Sequence, residues 1–555
     1  MQANTCLRKP TFALPLIAQT FVIVVIVTIP LHPVMADVVP VASCSTASGA
    51  AMLISIGDSL TNGTMNATNN ATNALNSYIN HVAEALGENT ALCFSQPLLN
   101  DQEQRINFYA LPTNLGVDGS DIFSVAGLAY YKRYGVKESF VTRQYLCDRM
   151  VPWNLQDMYD KVLYPLNIVS AAPVSQLDAA LWLMNQQTQH NPSGRTIIFF
   201  WTGNNDSSNA ALGYGARRPA YVPLPFDMLF REVSDSLALI LAYGVYHNLI
   251  SFEPYRRESI ERVLTEDEDF HNQYRACIER LVREAQFQNR TIDLFLCTLP
   301  YYSSVGYLFD SEDLEFYLRK VNARYTVPPS FKRVTEPGAE IDDYTRGDRI
   351  SLITFLCMYV LLSQGYDVSY VNQVIDTSGI QRDGLVLSEQ EQADIRERID
   401  RFNERIEATA AQYGAQVHVV HIGEYLNDVL TGKIKLSVNG IPFTRRWGRG
   451  NSFTLDGVHP GYTAHALIAN FFISTLNEEL SLGVSPRDLE ALILRDPYID
   501  HDGDGWVPGP SYSVSGIPEL LFLFRDPDDS DPDVQPVMPD DIWQRISEAL
   551  VQLLI

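Results

Sequence analysis

A hydroxyl, an imidazole and a carboxylate that could work together stand near opposite ends of this chain. Ser59 follows Gly57 and Asp58 at the end of an apolar run, and Asp456 precedes His459 by three residues in Leu455-Asp456-Gly457-Val458-His459-Pro460. A serine hydroxyl is a poor nucleophile until a neighbouring base takes its proton. An Asp-x-x-His spacing lets the carboxylate hold one imidazole nitrogen while the other faces the hydroxyl. Taken alone, each piece has a plainer reading. Gly-Asp-Ser-Leu is ordinary turn chemistry, and Asp456 could begin a helix over Pro460-Gly461. His421 and His465 read as ordinary partly buried histidines.

Positioning such a trio requires a rigid frame. Ala51-Met52-Leu53-Ile54-Ser55-Ile56 is apolar almost throughout, as a parallel strand covered on both faces is. Gly57 permits a sharp turn, which sets Ser59 at the carboxyl end of that strand, where open α/β sheets carry their chemistry. Further short apolar strand candidates fall at 106–111 or 113–117, 196–201, 291–299 and 416–422, with helical sequence between them. That alternation implies an α/β fold, a parallel sheet with helices on both faces. The clearest helix spans 388–413: Ser388 and Glu391 form a capping box, Ile395, Ile399, Phe402 and Ile406 make a core-facing stripe, and Gly414 ends it.

Four blocks in order carry a resemblance to the GDSL (SGNH) hydrolases: Gly57-Asp58-Ser59-Leu60, Asn114-Leu115-Gly116-Val117-Asp118-Gly119, Gly203-Asn204-Asn205-Asp206, and Asp456 with His459. Asn76-Ser77-Tyr78, Gln96-Pro97-Leu98-Leu99, Leu299-Pro300 and Ala466-Leu467-Ile468-Ala469-Asn470 are similar to stretches of bacterial extracytoplasmic members. The resemblance covers roughly residues 50–475, with insertions. It implies a three-layer α/β/α sandwich with a flavodoxin-like parallel sheet. It also implies a Ser59–His459–Asp456 triad and an oxyanion hole from the Ser59 and Gly119 N–H groups and the Asn205 side chain. Gly127, at the end of Phe123-Ser124-Val125-Ala126-Gly127, is the rival for Gly119, and the neighbour Asn204 competes with Asn205.

With 555 residues, 46% of them apolar, the chain can bury a substantial core. Residues 1–36 read as a signal peptide: Arg8 and Lys9 precede the apolar run 11–30, and Val34-Met35-Ala36 offers small residues for cleavage before Asp37. An uncleaved anchor, or a lipid on Cys44 in Val41-Ala42-Ser43-Cys44, would instead tether the protein to a membrane. The expected location is secreted or periplasmic, with a lipid-anchored envelope protein as the alternative. Without residues 1–36, Cys44, Cys93, Cys147, Cys277, Cys297 and Cys357 form an even set that permits up to three disulfides. Cys297, in an apolar strand candidate, also fits a plain core thiol. The net charge is −25, and −27 once Arg8 and Lys9 are gone, which argues against nucleic acid or an anionic membrane as partner. Asn62, Asn66, Asn70 and Asn289 begin glycosylation sequons.

The domain expected at 45–480 carries two long stretches, near 212–290 and 303–384, that a minimal sheet domain does not need. Such insertions sit above active sites, as a lid over acyl chains or as a subsidiary packing layer. The apolar run 350–362 is too short for a secure membrane span. A C-terminal appendage is expected at 485–555. There Asp500-His501-Asp502-Gly503-Asp504-Gly505-Trp506-Val507 resembles the first eight positions of an EF-hand loop, after a helix at 486–494. Ser511 stands where the bidentate glutamate should be, so a truncated structural calcium loop with Asp500, Asp502 and Asp504 competes with a solvated acidic turn. An acidic linker at 526–533 and an amphipathic helix at 542–555 close the chain.

The expected function is an exported serine ester hydrolase, of lipase or esterase type, that needs no cofactor for catalysis and acts on small-molecule or lipid esters. A carbohydrate deacetylase, a thioesterase and a catalytically silent calcium-stabilised binding module are the alternatives.

Overall fold

A computed structural model describes residues 49–133, 145–212, 264–334, 346–373, 375–376, 386–512, 521–542 and 545. These belong to one compact unit, Val41–Ile555. The signal-like run, Cys44, residues 213–263 and nearly all of the closing helix expected at 542–555 lie outside the described residues.

The strands in chain order are β1 (Ala51–Gly57), β2 (Leu92–Cys93), β3 (Thr196–Trp201), β4 (Asp293–Cys297), β5 (Leu308–Phe309), β6 (Ile350–Ser351), β7 (Val417–Val420), β8 (Leu436–Val438) and β9 (Ile441–Phe443). Five of them form the central sheet in the order β2-β1-β3-β4-β7, all parallel, while β5-β6 and β8-β9 are small antiparallel ribbons. In register, Leu53 faces Ile197, Ile198 faces Leu294 and Leu296 faces Val419. The chain winds outward from β1 to one edge and then back across to β3, so a crevice opens at the carboxyl ends of β1 and β3.

Every residue of β1 and β3 is buried, which explains their unbroken apolar character. Alternate side chains of β3 point to opposite faces. The Phe199 ring lies 4.8 Å from Phe472, and Phe200 lies 5.3 Å from Tyr274. Helices therefore cover both faces and the architecture is a three-layer α/β/α sandwich. Helix α1 is the single turn Ser59–Asn62. One outer layer contains α2 (Tyr78–Asn89) and, later, α8 (Tyr462–Leu480), joined by Tyr78 against Phe472 at 4.9 Å. The other contains α3 (Gln176–His190), α5 (Asp267–Phe287) and α6 (Glu389–Ala410), with Phe270 stacked on Phe402 at 4.0 Å. Helix α6 has the expected capping box, and Ile395, Ile399, Phe402 and Ile406 are all buried. Two shorter helices, α4 (Asn205–Leu212) and α7 (Ile422–Leu430), lie near the crevice.

Several expectations need correction. The second strand is Leu92–Cys93, not 106–111. Residues 106–111 turn instead: Ala110 N bonds Asn107 O at 3.0 Å and Arg105 donates to Ala110 O, while Arg105 also donates to the carbonyls of Lys161 and Val162 and Asn107 bonds Leu98 N and Gln96 O, tying the turn to its neighbours. Residues 113–117 run beside the upper half of β1 through an isolated parallel bridge, Ser55 with Asn114, and never form a full strand. The helix expected at 486–494 shortens to Leu489–Ile493, capped by Asp488. Three disulfides are excluded: Cys93 is disulfide-bonded, but Cys147, Cys277, Cys297 and Cys357 are buried free thiols. Asn62, Asn66 and Asn70 are buried, which closes those three sequons to a glycan, and Asn289 is exposed.

Within the second long stretch, helix Leu352–Ser363 packs as a layer in which Leu352 and residues 354–362 are buried, while Ser363 at its end is exposed. Among the described residues no helix is long and apolar enough to cross a membrane. The layer is locked to the segment before the His459 block by charge. Buried Asp310 and Asp313 meet Arg445, Arg446, Arg349 and Arg449 in ion pairs such as Arg349 Nη1–Asp310 Oδ2 at 3.1 Å. The C-terminal stretch joins the same core. Trp506 is fully buried against Tyr317, Tyr359 and Trp447 at 5.0, 5.6 and 5.8 Å.

Candidate active site

Ser59 is the first residue of α1, directly above β1. Asp58 caps that turn, its Oδ1 accepting from Leu60 N at 3.0 Å. Gly57 is required by space: a Cβ there would stand 2.2 Å from Thr61 Oγ1 and 2.8 Å from the Trp201 carbonyl. The first N–H of a helix has no intrahelical acceptor, so the Ser59 N–H is free to meet a ligand.

The loop after β9 brings in the other two members. His459 Nδ1 lies 2.7 Å from Asp456 Oδ2. Asp456 is buried and receives further donors: Thr454 Oγ1, Val458 N and His459 N on Oδ1, and Ala67 N at 2.7 Å on Oδ2. Burial opposes its charge, but His459 and these hydrogen bonds hold its pKa below the ordinary value. For His459, burial disfavours the cation, and the Asp456 carboxylate, helped by Asp118 and Asp58, more than reverses this, raising its pKa. Ser59 and His459 line the same cavity, although no hydrogen bond joins them. Such bonds commonly tighten only when substrate arrives.

Gly119 and Gly127, and likewise Asn204 and Asn205, differ in position. Gly119 lines the cavity with φ +72°, and its N–H has no partner among the described residues. Gly127 instead ends a helical turn, its N–H spent on Ser124 O at 2.9 Å. Asn205 lines the cavity at the start of α4, its Nδ2 donating to Ser120 O at 3.0 Å and its Oδ1 accepting from Ser208. An amide nitrogen has two hydrogens, so one remains for a ligand. Asn204 points inward and donates to Asp58 Oδ2 at 2.9 Å, tying the two turns together. Burial pushes the Asp58 carboxyl up to about 6, against the opposing effect of the Asn204 and Leu60 bonds.

The cavity encloses about 370 Å³. Ser59, Gly119, Asn205 and His459 lie on its wall together with an apolar arm of Leu426, Val429, Leu430, Phe443 and Leu467, from α7, β9 and α8. His465 is fully buried, accepts from Tyr78 N at 3.2 Å and has its pKa lowered to about 3 by burial, so it stays neutral behind the site. His421 is exposed beside Glu407 and Glu424.

Two contributors escaped the sequence reading. Ala67 donates to the Asp456 carboxylate from a left-handed backbone (φ 50°), beside Asn66 (φ 53°). Asn66 secures this turn, accepting from Leu455 N and donating to Tyr498 Oη at 2.7 Å. Asparagine tolerates left-handed φ better than most residues, which was the signal available at 66. Asp118 is the second: it accepts from Asn62, Thr64 and Asn69 and faces the cavity.

Away from this cavity, carboxylate oxygens of Asp500, Asp502 and Asp504 lie within 4.8 Å of one another, as the loop reading expects. Asp502 also belongs to a second group of the same closeness with Asp526 and Asp529, which the sequence assigned to a linker. No family model, curated protein or solved structure matches this chain.

Proposed function

We propose that this protein is a serine ester hydrolase with the GDSL (SGNH) fold, forming an acyl-enzyme on Ser59. The carrying observation is that Ser59, Gly119, Asn205 and His459 face one cavity while His459 Nδ1 is held 2.7 Å from Asp456. His459 Nε2 takes the Ser59 proton as Oγ bonds to the ester carbonyl carbon. The oxyanion accepts from the Ser59 and Gly119 N–H groups and Asn205 Nδ2. Collapse breaks the bond to the alcohol oxygen, which leaves with the proton from His459. Water then repeats the sequence, its proton passing to His459 and its oxygen to the acyl carbon; collapse breaks the bond to Ser59 Oγ, which regains the proton from His459 as the carboxylic acid departs.

The apolar arm favours an acyl chain over a sugar in the cavity, which supports an esterase or lipase above a carbohydrate deacetylase. The chemistry requires no metal, so a cation near residue 502 would be structural. Nitrophenyl esters of rising chain length and a fluorophosphonate test this reading. Wild-type protein should turn over the esters and carry the phosphonate on Ser59, whereas Ser59→Ala should lose on the order of 10⁴-fold in turnover and take no label. Near wild-type turnover by folded Ser59→Ala would sink the mechanism.

A further inference from the structure

We propose that Asp526 completes a calcium site with Asp500, Asp502 and Asp504, replacing from a distant segment the glutamate that the loop lacks at Ser511. Calcium takes six to eight oxygens at about 2.3–2.6 Å, so oxygens on opposite sides of the ion stand roughly 4.8 Å apart. In each of the groups 500-502-504 and 502-526-529 the carboxylate oxygens lie within that distance of one another, and Asp502, common to both, links Asp526 to the loop.

Counting donors leads to the same place. Asp500 accepts from Gly503 N at 2.7 Å and Gly505 N at 2.8 Å, and Asp504 from Trp506 N and Gln535 Nε2. Asp529 accepts from the His501 backbone and ring. Two oxygens are left over: Asp502 Oδ2 and Asp526 Oδ2 are shielded from solvent and have no hydrogen-bond partner among the described residues. Asp526 is only 6% exposed, and its N–H is fixed to Val507 O at 2.9 Å, which holds the segment across the loop. The cationic groups nearby are Lys320, which acts on Asp504, and His501. Each of these carboxylates has a donor on its other oxygen, Asp504 N for Asp502 and Asp528 N for Asp526, but a shielded carboxylate oxygen with no donor of its own is disfavoured. A hard divalent cation supplies what both oxygens lack. Magnesium fits less well, since it demands a tighter octahedron and keeps its waters.

The test uses the full chain stripped with chelator. Terbium is titrated with excitation of Trp506, which adjoins Asp504, and is then displaced by calcium; melting is followed with calcium and with chelator. Saturable terbium emission, displacement by calcium and a calcium-dependent rise in melting temperature are expected. Asp526→Asn should weaken calcium binding tenfold or more, while Asp531→Asn, an exposed acid in the same segment, should not. In chelator, Asp526→Asn should melt at or above the wild type, because an unpaired charge has gone. Wild-type calcium affinity in Asp526→Asn, no calcium response in the wild type, or a lower melting point for Asp526→Asn in chelator would each overturn the proposal. Ester turnover below the melting temperature should survive chelation, so a failure here leaves the catalytic reading untouched.

Discussion

Asp456 and Asp526 are both 6% exposed and both belong to the same compact unit, yet their surroundings differ completely. Asp456 accepts five hydrogen bonds, one from the ring it orients. Asp526 accepts one, from Asp528 N at 2.9 Å, and its other oxygen has none. Asp310 is a third solution, a buried carboxylate balanced by arginines. Burial alone therefore says little about what an acidic residue does. The donors around it distinguish a carboxylate fully supplied by the chain from one with an oxygen that the described residues leave without a donor.

The same substitution at the two sites breaks or upholds this comparison most directly. Asp456→Asn should lower kcat/KM by roughly 10³–10⁴-fold, because the amide cannot stabilise the imidazolium. Asp526→Asn should leave kcat/KM unchanged at a temperature where the fold persists. Equal losses in a steady-state assay would erase the distinction.

A smaller effect is expected at Asn205, whose spare amide hydrogen would, on the proposed mechanism, meet a charge that exists only during reaction. Asn205→Ala should reduce kcat by about 10²–10³-fold with little change in KM. A change confined to KM would make Asn205 a substrate-binding residue.

The third expectation sharpens the role of Asp456 through pH. His459 must be neutral to act as base, and its pKa lies above the ordinary value of 6.5. The acid limb of kcat/KM should therefore have its midpoint above pH 6.5, and the residual activity of Asp456→Asn should show that midpoint at lower pH. Stability runs the other way. A raised folded pKa gives a contribution fully present below the unfolded value and lost as pH rises through the folded one. The His459–Asp456 pair thus stabilises most between the ordinary carboxylate range and pH 6.5, where His459 is charged and cannot act as base, and the Asp456 contribution, with its lowered pKa, is lost at still lower pH. A wild-type midpoint below 6.5 would contradict the arrangement.

The sheet was legible because β1, β3, β4 and β7 are short apolar runs separated by helical sequence, and helix α6 announced itself by its cap and stripe. Ser59, Asp456 and His459 were legible because local spacing carries their chemistry. The edge strand was not, since two residues leave no periodicity and long-range bonds from Arg105 decide the course of 106–111. Nor were Ala67 and Asp526. Both matter through contacts hundreds of residues or one loop away, and their own side-chain types carry no signal of it. Composition marked 526–533 as acidic and proline-broken, which describes a solvated linker and a ligand-bearing segment equally well.

The tyrosines that reach Asn66 add a dimension of time. Tyr498 and Tyr512 bond Asn66, and Asn66 positions the turn whose Ala67 N–H steadies Asp456. A nascent chain presents Ser59 early, but this bracing forms only after residue 512 has emerged, so the setting of the Asp456 carboxylate waits on contacts between residues 66–67 and 498–512 that are made late in synthesis.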